Sequence, residues 1–112
     1  MKRNPNKNLG EFEMLVLASI VRQDGTAYGV SIKNDIETRT GRSASLGALY
    51  ATLGRLEDKL YVTSSMGEAT AERGGRAKRY FRIQPLGLEL LEQSLSAIRA
   101  MTDGLDTAKR PA

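Results

Sequence analysis

The chain has 112 residues, a formal charge of +4, and neither histidine nor cysteine. That length supports one domain with a modest core and is too short for two. Without His and Cys the usual general base, the usual metal ligands and the thiol nucleophile are all missing, so an enzyme, a metal site and a cofactor are not expected.

The positive charge is concentrated. The stretch RGGRAKRYFR, Arg73 to Arg82, contains no acid, and a local excess of cations is where a polyanion would be met. The longest apolar run, Met14 to Val21, is too short to cross a bilayer. The basic start MKRNPNKN is not followed by a signal-peptide cleavage pattern. A soluble cytoplasmic protein with no membrane partner is expected.

Residues 1–8 read as a polar, flexible arm. From Leu9 to about Gln23, Phe12, Leu15, Val16, Leu17 and Ile20 follow a helical period. This first helix is apolar nearly all round over Met14 to Val21 and is expected to be the most buried. Asp24-Gly25 closes it. Thr26 suits an N-cap for a second helix from Ala27 to Thr40, with Tyr28, Ile32 and Ile36 facing inward at i, i+4 and i+8. Gly41 ends it, the connection Arg42–Ala44 is short, and Ser45 can cap a third helix. That is helix-turn-helix geometry.

The third helix is the most informative segment. At about 100° per residue, Leu46, Leu49, Leu53, Leu56 and Leu60 fall within one arc. Ala48, Ala51, Thr52, Arg55 and Lys59 are expected on the far side, flanked by Gly47 and Gly54. Solvent faces usually carry Glu, Lys and Gln, whereas glycine there costs helix stability. A face of small residues ending in cations can lie close to the floor of a groove about 12 Å wide. An ordinary amphipathic helix with a short-chain solvent face is the alternative.

Tyr61 to Ser65 is β-branched and aromatic, a strand by propensity. Met66 to Arg76 is a Gly-containing loop, and Lys78 to Ile83 reads as a returning strand. Arg79, Phe81 and Ile83 alternate there with Lys78, Tyr80 and Arg82. Such a hairpin is either a solvated surface element or, following a helix pair of this kind, a wing. Pro85 suits the first position of a last helix, about Leu86 to Asp103. Leu88, Leu91, Leu95, Ile98 and Leu105 lie in heptad register, and Leu86, Leu90 and Met101 widen the stripe. This helix either folds back on its own domain or pairs with a second copy, and the pairing is expected.

The segments LGALYATLGRLE, Leu46 to Glu57, and GRAKRYFRIQPLG, Gly75 to Gly87, together resemble the PadR-like transcriptional regulators. The likeness runs from Leu9 to about Leu91 and is closest to the branch with a single C-terminal dimerisation helix. It implies a winged-helix repressor that binds a pseudo-palindromic operator as a homodimer, and in some members a small hydrophobic effector at the dimer interface. Ala51, Leu60 and Ala77 stand where the family often has Pro, Gly and Pro. The substitution at Leu60 is expected to alter the junction between the third helix and the strand.

The expected fold is therefore mainly α with a small antiparallel β-hairpin: a winged helix-turn-helix plus a C-terminal dimerisation helix. The expected units are a flexible basic arm at 1–8, the DNA-binding domain at 9–84, the dimerisation helix at 85–106 and a disordered tail at 107–112. Expected contacts to double-stranded DNA are Ser43, Ser45, Gly47, Ala48 and Thr52 toward base edges. Tyr50 and Arg55 serve phosphate or guanine, Tyr28 and Lys33 the backbone, and Arg73, Arg76, Lys78 and Arg79 the wing. Plainer roles exist: Tyr28 and Tyr50 as core aromatics with one wet end, and Arg55 paired with Glu57 or Asp58. Dimerisation is expected through Leu88, Leu91, Leu95, Ile98, Met101 and Leu105. An effector would enter around Leu15, Ser19 and Leu95. A winged-helix adaptor that docks proteins instead of DNA is the alternative function.

Overall fold

The computed structural model describes residues 8–67 and 77–108. The element order is α1 (Glu11–Gln23), β1 (Ala27–Tyr28), α2 (Gly29–Thr40), α3 (Leu46–Asp58), β2 (Val62–Met66), β3 (Arg79–Ile83) and α4 (Pro85–Thr102). The loop between β2 and β3 is outside the described residues from 68 to 76, and the expected wing contacts Arg73 and Arg76 lie there. Among the described residues no helix is long and apolar enough to cross a membrane.

The core forms around α1, which packs against α2, α3, α4 and β3. Its Val16, Leu17 and Ile20 are buried with Ile32 and Ile36 of α2, Leu49, Leu53 and Leu56 of α3, Val62, Phe81, and Leu90 and Leu91 of α4. The near-continuous apolar run of α1 is what a helix surrounded on several sides requires.

The sheet has three strands in the order β1-β3-β2, all antiparallel, where a two-stranded hairpin was expected. Ala27 and Tyr28 pair with Phe81 and Tyr80 instead of opening the second helix. Thr26 is not the cap of α2, because its hydroxyl donates to the Gln23 carbonyl at 2.6 Å and completes the exit from α1. Tyr28 takes the cap position. Ser31 Oγ accepts the Tyr28 N–H and donates to the Tyr28 carbonyl, both at 2.9 Å. Tyr28 therefore sits half-buried on the outer face of the sheet and not beside Ile32 and Ile36 in the core.

Helix α3 begins as expected, with Ser45 Oγ accepting the Ala48 N–H at 3.1 Å. Its inner arc is narrower than the leucines suggested. Leu46 in the first turn is exposed, and Leu60 lies beyond the helix end and is 66% exposed. Leu60 has φ 67°, the left-handed conformation that glycine adopts without steric cost and leucine rarely adopts. A left-handed non-glycine residue costs about 1–2 kcal/mol, and little burial offsets it here. Leu60→Gly is expected to raise stability by about 0.5–1 kcal/mol after the extra entropy of an unfolded glycine, read as an increased melting temperature. An unchanged or lower value would contradict the strain assigned to this residue.

Helix α4 starts at Pro85 with Gln84 as its cap and ends at Thr102. Its first turns close the core. Leu91, expected at a dimer seam, is 4% exposed and belongs to the protomer's own interior. Leu105 lies past the end of the helix, after Gly104 at φ 74°, so it is not in register with the helical stripe.

Candidate nucleic-acid interface

Helices α2 and α3 are joined by a turn that Glu37 stabilises. Its carboxylate accepts the Ala44 N–H at 3.0 Å and pairs with Lys33 at 3.1 Å. The Ala44 N–H first, and Lys33 second, hold the Glu37 pKa below the ordinary carboxylate value. Lys33, an expected backbone contact, is thereby engaged within α2. Ser43 is exposed on the turn.

On α3, Gly47, Ala48, Ala51 and Gly54 are exposed. No atom of the described residues lies within 4 Å of where a Cβ would stand on Gly47 or Gly54, so nothing among them requires glycine at either position. Tyr50 is half exposed, and its hydroxyl end lies against buried Gly29 at the first turn of α2, where a Cβ would overlap the hydroxyl and stand 2.9 Å from the ring edge. The tyrosine therefore locks the two helices together while its other side stays open.

Thr52 corrects the expected base-reading set. It is 2% exposed, and its hydroxyl accepts Nη2 of Arg55 at 3.1 Å. Helical spacing accounts for this: Thr52 is three residues after Leu49 and four before Leu56, so it shares their face. It acts from beneath the surface by holding Arg55. Lys59, expected on the outer face, is half buried and turns back toward Glu13 of α1 at 3.9 Å.

The wing strands present two different faces. On the outer one, Tyr28 and Tyr80 meet edge to face with centroids 5.9 Å apart, and Lys78 Nζ lies 4.4 Å above the Tyr28 ring. On the other, Arg79 Nη1 donates to Ser64 Oγ at 2.9 Å, and Ser64 Oγ donates to Glu57 at 2.6 Å. Sequence reading gave Ser64 no role and offered Glu57 only as a partner for Arg55, which instead bonds to Thr52. The link between Ser64 and Glu57 depends on the strand register, which no local pattern shows.

Beyond Leu91, α4 is no longer buried in the core but still runs beside the start of α1. From Glu92 to Thr102 every residue except Ser94 is exposed, though Leu95 only to 37% and Ile98 to 49%. Leu88, Leu95, Ile98 and Met101 are exposed apolar residues on this helix, with Met101 at 82%. A cavity of about 310 Å³ lies between the start of α1 and α4, lined by Leu9, Met14, Ser94, Ala97 and Ile98 among others. Leu15 and Ser19 line a separate cavity of about 170 Å³ with Asp35 and Arg39, and Leu95 lines neither. Ser19 is already committed. It donates to Asp35 at 2.7 Å and accepts from Gln23 at 2.9 Å, while Arg39 Nε donates to Asp35 at 2.7 Å. Partial burial raises the Asp35 pKa, but the bonds from Ser19 and Arg39 and the charges of Arg39 and Arg22 outweigh it and leave it below the ordinary value.

Three packed helices, a tight turn before the third, and a strand pair directly after it define a winged helix-turn-helix protein. The chain belongs to the PadR-like family of transcriptional regulators, whose family profile matches residues 16–93. Solved structures agree on the fold. A transcriptional regulator from Clostridium thermocellum is 24% identical with a TM-score of 0.68, over 83% of this chain and 84% of that one. A PadR family regulator from Clostridium difficile is 21% identical with a TM-score of 0.68, over 85% and 97%. Bacillus subtilis PadR, solved in complex with operator DNA, is 18% identical with a TM-score of 0.65, over 76% of this chain and 46% of that one. No protein of curated function shows a significant match.

Proposed function

We propose that the chain is a homodimeric repressor that binds a pseudo-palindromic operator in double-stranded DNA. The observation that carries this reading is the bare outer face of α3, with open space above Gly47 and Gly54. Glycine inside a helix costs roughly 0.5–1 kcal/mol against alanine, and no contact among the described residues offsets that cost here. Close approach of a duplex supplies a reason. Small side chains let the helix backbone reach the major-groove floor and meet thymine methyls.

In this reading Ser43, Ser45, Gly47 and Ala48 lie nearest base edges at the start of α3. Tyr50 and Arg55 flank them for phosphate or guanine. Tyr28, with Lys78 above it, and Lys33 contact the backbone, and Arg79 with Arg73 and Arg76 serves the wing. Leu88, Leu95, Ile98 and Met101 form the dimer contact. A small hydrophobic effector would enter at that interface, beside the cavity lined by Leu9, Met14 and Ile98.

Arg55→Ala tests the interface. If Arg55 neutralises a phosphate in each binding event, the slope of log affinity against log salt becomes shallower by about one unit, with affinity lost for every sequence. Fluorescence anisotropy over a salt series, on a duplex selected by the wild type from random sequence, measures both. An unchanged slope removes Arg55 from the phosphate contacts. A wild type that binds no duplex in dilute buffer overturns the whole reading and favours a protein-docking adaptor.

A further inference from the structure

We propose that Glu57, acting through the hydroxyl of Ser64, positions Arg79 at the base of the wing for DNA and so ties the wing to the recognition helix. The inference rests on the DNA-binding reading above and assigns a role to two residues that reading leaves unused.

The arrangement follows from register. Ser64 pairs with Phe81 and Met66 pairs with Arg79, so Ser64 and Arg79 are diagonal neighbours on one face, a separation that a long side chain spans. Phe81 points that face into the core. Arg79, at the start of β3, lies past the edge of the core and is exposed. Glu57 is in the last turn of α3, seven residues before Ser64, and the helix-to-strand junction folds it back against the strand.

A serine hydroxyl has one proton and can accept as well. Here the proton goes to Glu57 Oε2 at 2.6 Å, and the oxygen accepts Arg79 Nη1 at 2.9 Å. Both bonds are charge-assisted, one by a carboxylate and one by a guanidinium. Only one of the five guanidinium donors is used in this bond, which leaves the fork to meet a phosphate. Holding the long side chain in advance reduces the rotamer freedom lost on binding. Glu57 itself is an acid beside a proposed DNA surface, where it repels phosphate. Orienting Arg79 accounts for its presence. The other described wing cations are differently placed, since Lys78 lies over Tyr28 and the Arg82 guanidinium lies against Gly25.

The test is a mutant cycle on the full chain, with affinities measured across a salt series on the duplex that wild type selects. Arg79→Ala is expected to weaken binding ~10-fold and make the slope shallower by about one unit. Ser64→Ala is expected to weaken it ~5-fold, and less than ~1.5-fold when Arg79 is already alanine, because coupled residues do not add. Ser64→Thr retains the hydroxyl and should remain within ~2-fold of wild type. Removing an acid near DNA ordinarily tightens binding, yet Glu57→Ala is expected to weaken it by ~3-fold. Independent Ser64 and Arg79 effects, an Arg79→Ala variant that binds as wild type, or a tighter Glu57→Ala variant would each overturn the relay while leaving DNA binding intact. If Glu57→Ala does not fold, the Ser64 and Arg79 variants decide the matter alone. A wild type that selects no duplex overturns the DNA-binding reading and the relay with it.

Discussion

Gly87→Ala is expected to destabilise the protein by about 2–4 kcal/mol, although alanine is normally the better helix former. Gly87 is buried in the first turn of α4. A Cβ there would lie 2.9 Å from the Tyr61 carbonyl carbon and 3.0 Å from its Cα, and would overlap the carbonyl oxygen. That obstacle is backbone and cannot rotate away. It is also tethered from both sides. The Tyr61 carbonyl accepts the Gln84 N–H at 2.8 Å, and the Tyr61 N–H donates to the Leu56 carbonyl at 2.9 Å. Relief therefore requires separating α4 from the α3–β2 junction and opening the core at Leu56, Leu90 and Leu91. Gly54→Ala is the control, because its Cβ meets nothing within 4 Å, and it should gain up to about 1 kcal/mol from helix propensity alone. Thermal and urea unfolding at one fixed protein concentration compares the two. A Gly87→Ala variant as stable as wild type would show that α4 does not pack on Tyr61 in this way.

Changing Leu95 and Ile98 together to glutamate is expected to yield monomers and to lower operator affinity by ~10²-fold or more, through loss of the second, linked half-site. The helix that carries them is outside the buried core from Glu92 onward, and Leu95 and Ile98 stay 37% and 49% exposed in the isolated protomer. A charge at each position would have to be desolvated unpaired in any helix-to-helix contact between copies. Reading two half-sites requires two copies of α3 about 34 Å apart, one turn of DNA, and a monomer offers one. The salt slope should fall with the number of phosphates contacted. Sedimentation velocity gives the oligomeric state. Wild type that is monomeric at micromolar concentration, or a double variant that remains dimeric, would remove α4 from the proposed interface.

The corrections share a pattern. Thr52 lies three residues from Leu49 and four from Leu56, so helical spacing itself puts it on their buried face and not among the outward small residues. A buried threonine is tolerated when its hydroxyl has a partner, and Arg55 is that partner. Leu91 could not be assigned from heptad spacing. The same stripe of α4 is buried at Leu91 and half exposed at Ile98, and the spacing does not mark where the change falls. Lys59 shows the same limit, since nothing adjacent to it in sequence announces Glu13.

From sequence alone come the four helices, the small-residue face of α3, the two wing strands and the family. Each is recorded in local periodicity, in capping residues or in contiguous motifs, which neighbouring residues suffice to specify. Only the folded chain reveals β1, the left-handed Leu60, the burial of Leu91 and the link from Glu57 through Ser64 to Arg79. A two-residue strand has no periodicity of its own and exists because β3 offers it an edge. Leu60 turns left-handed where the Tyr61 N–H closes onto the Leu56 carbonyl at the helix end. The burial of Leu91 and the reach to Arg79 depend instead on which separate segments are brought together, and tertiary packing sets that.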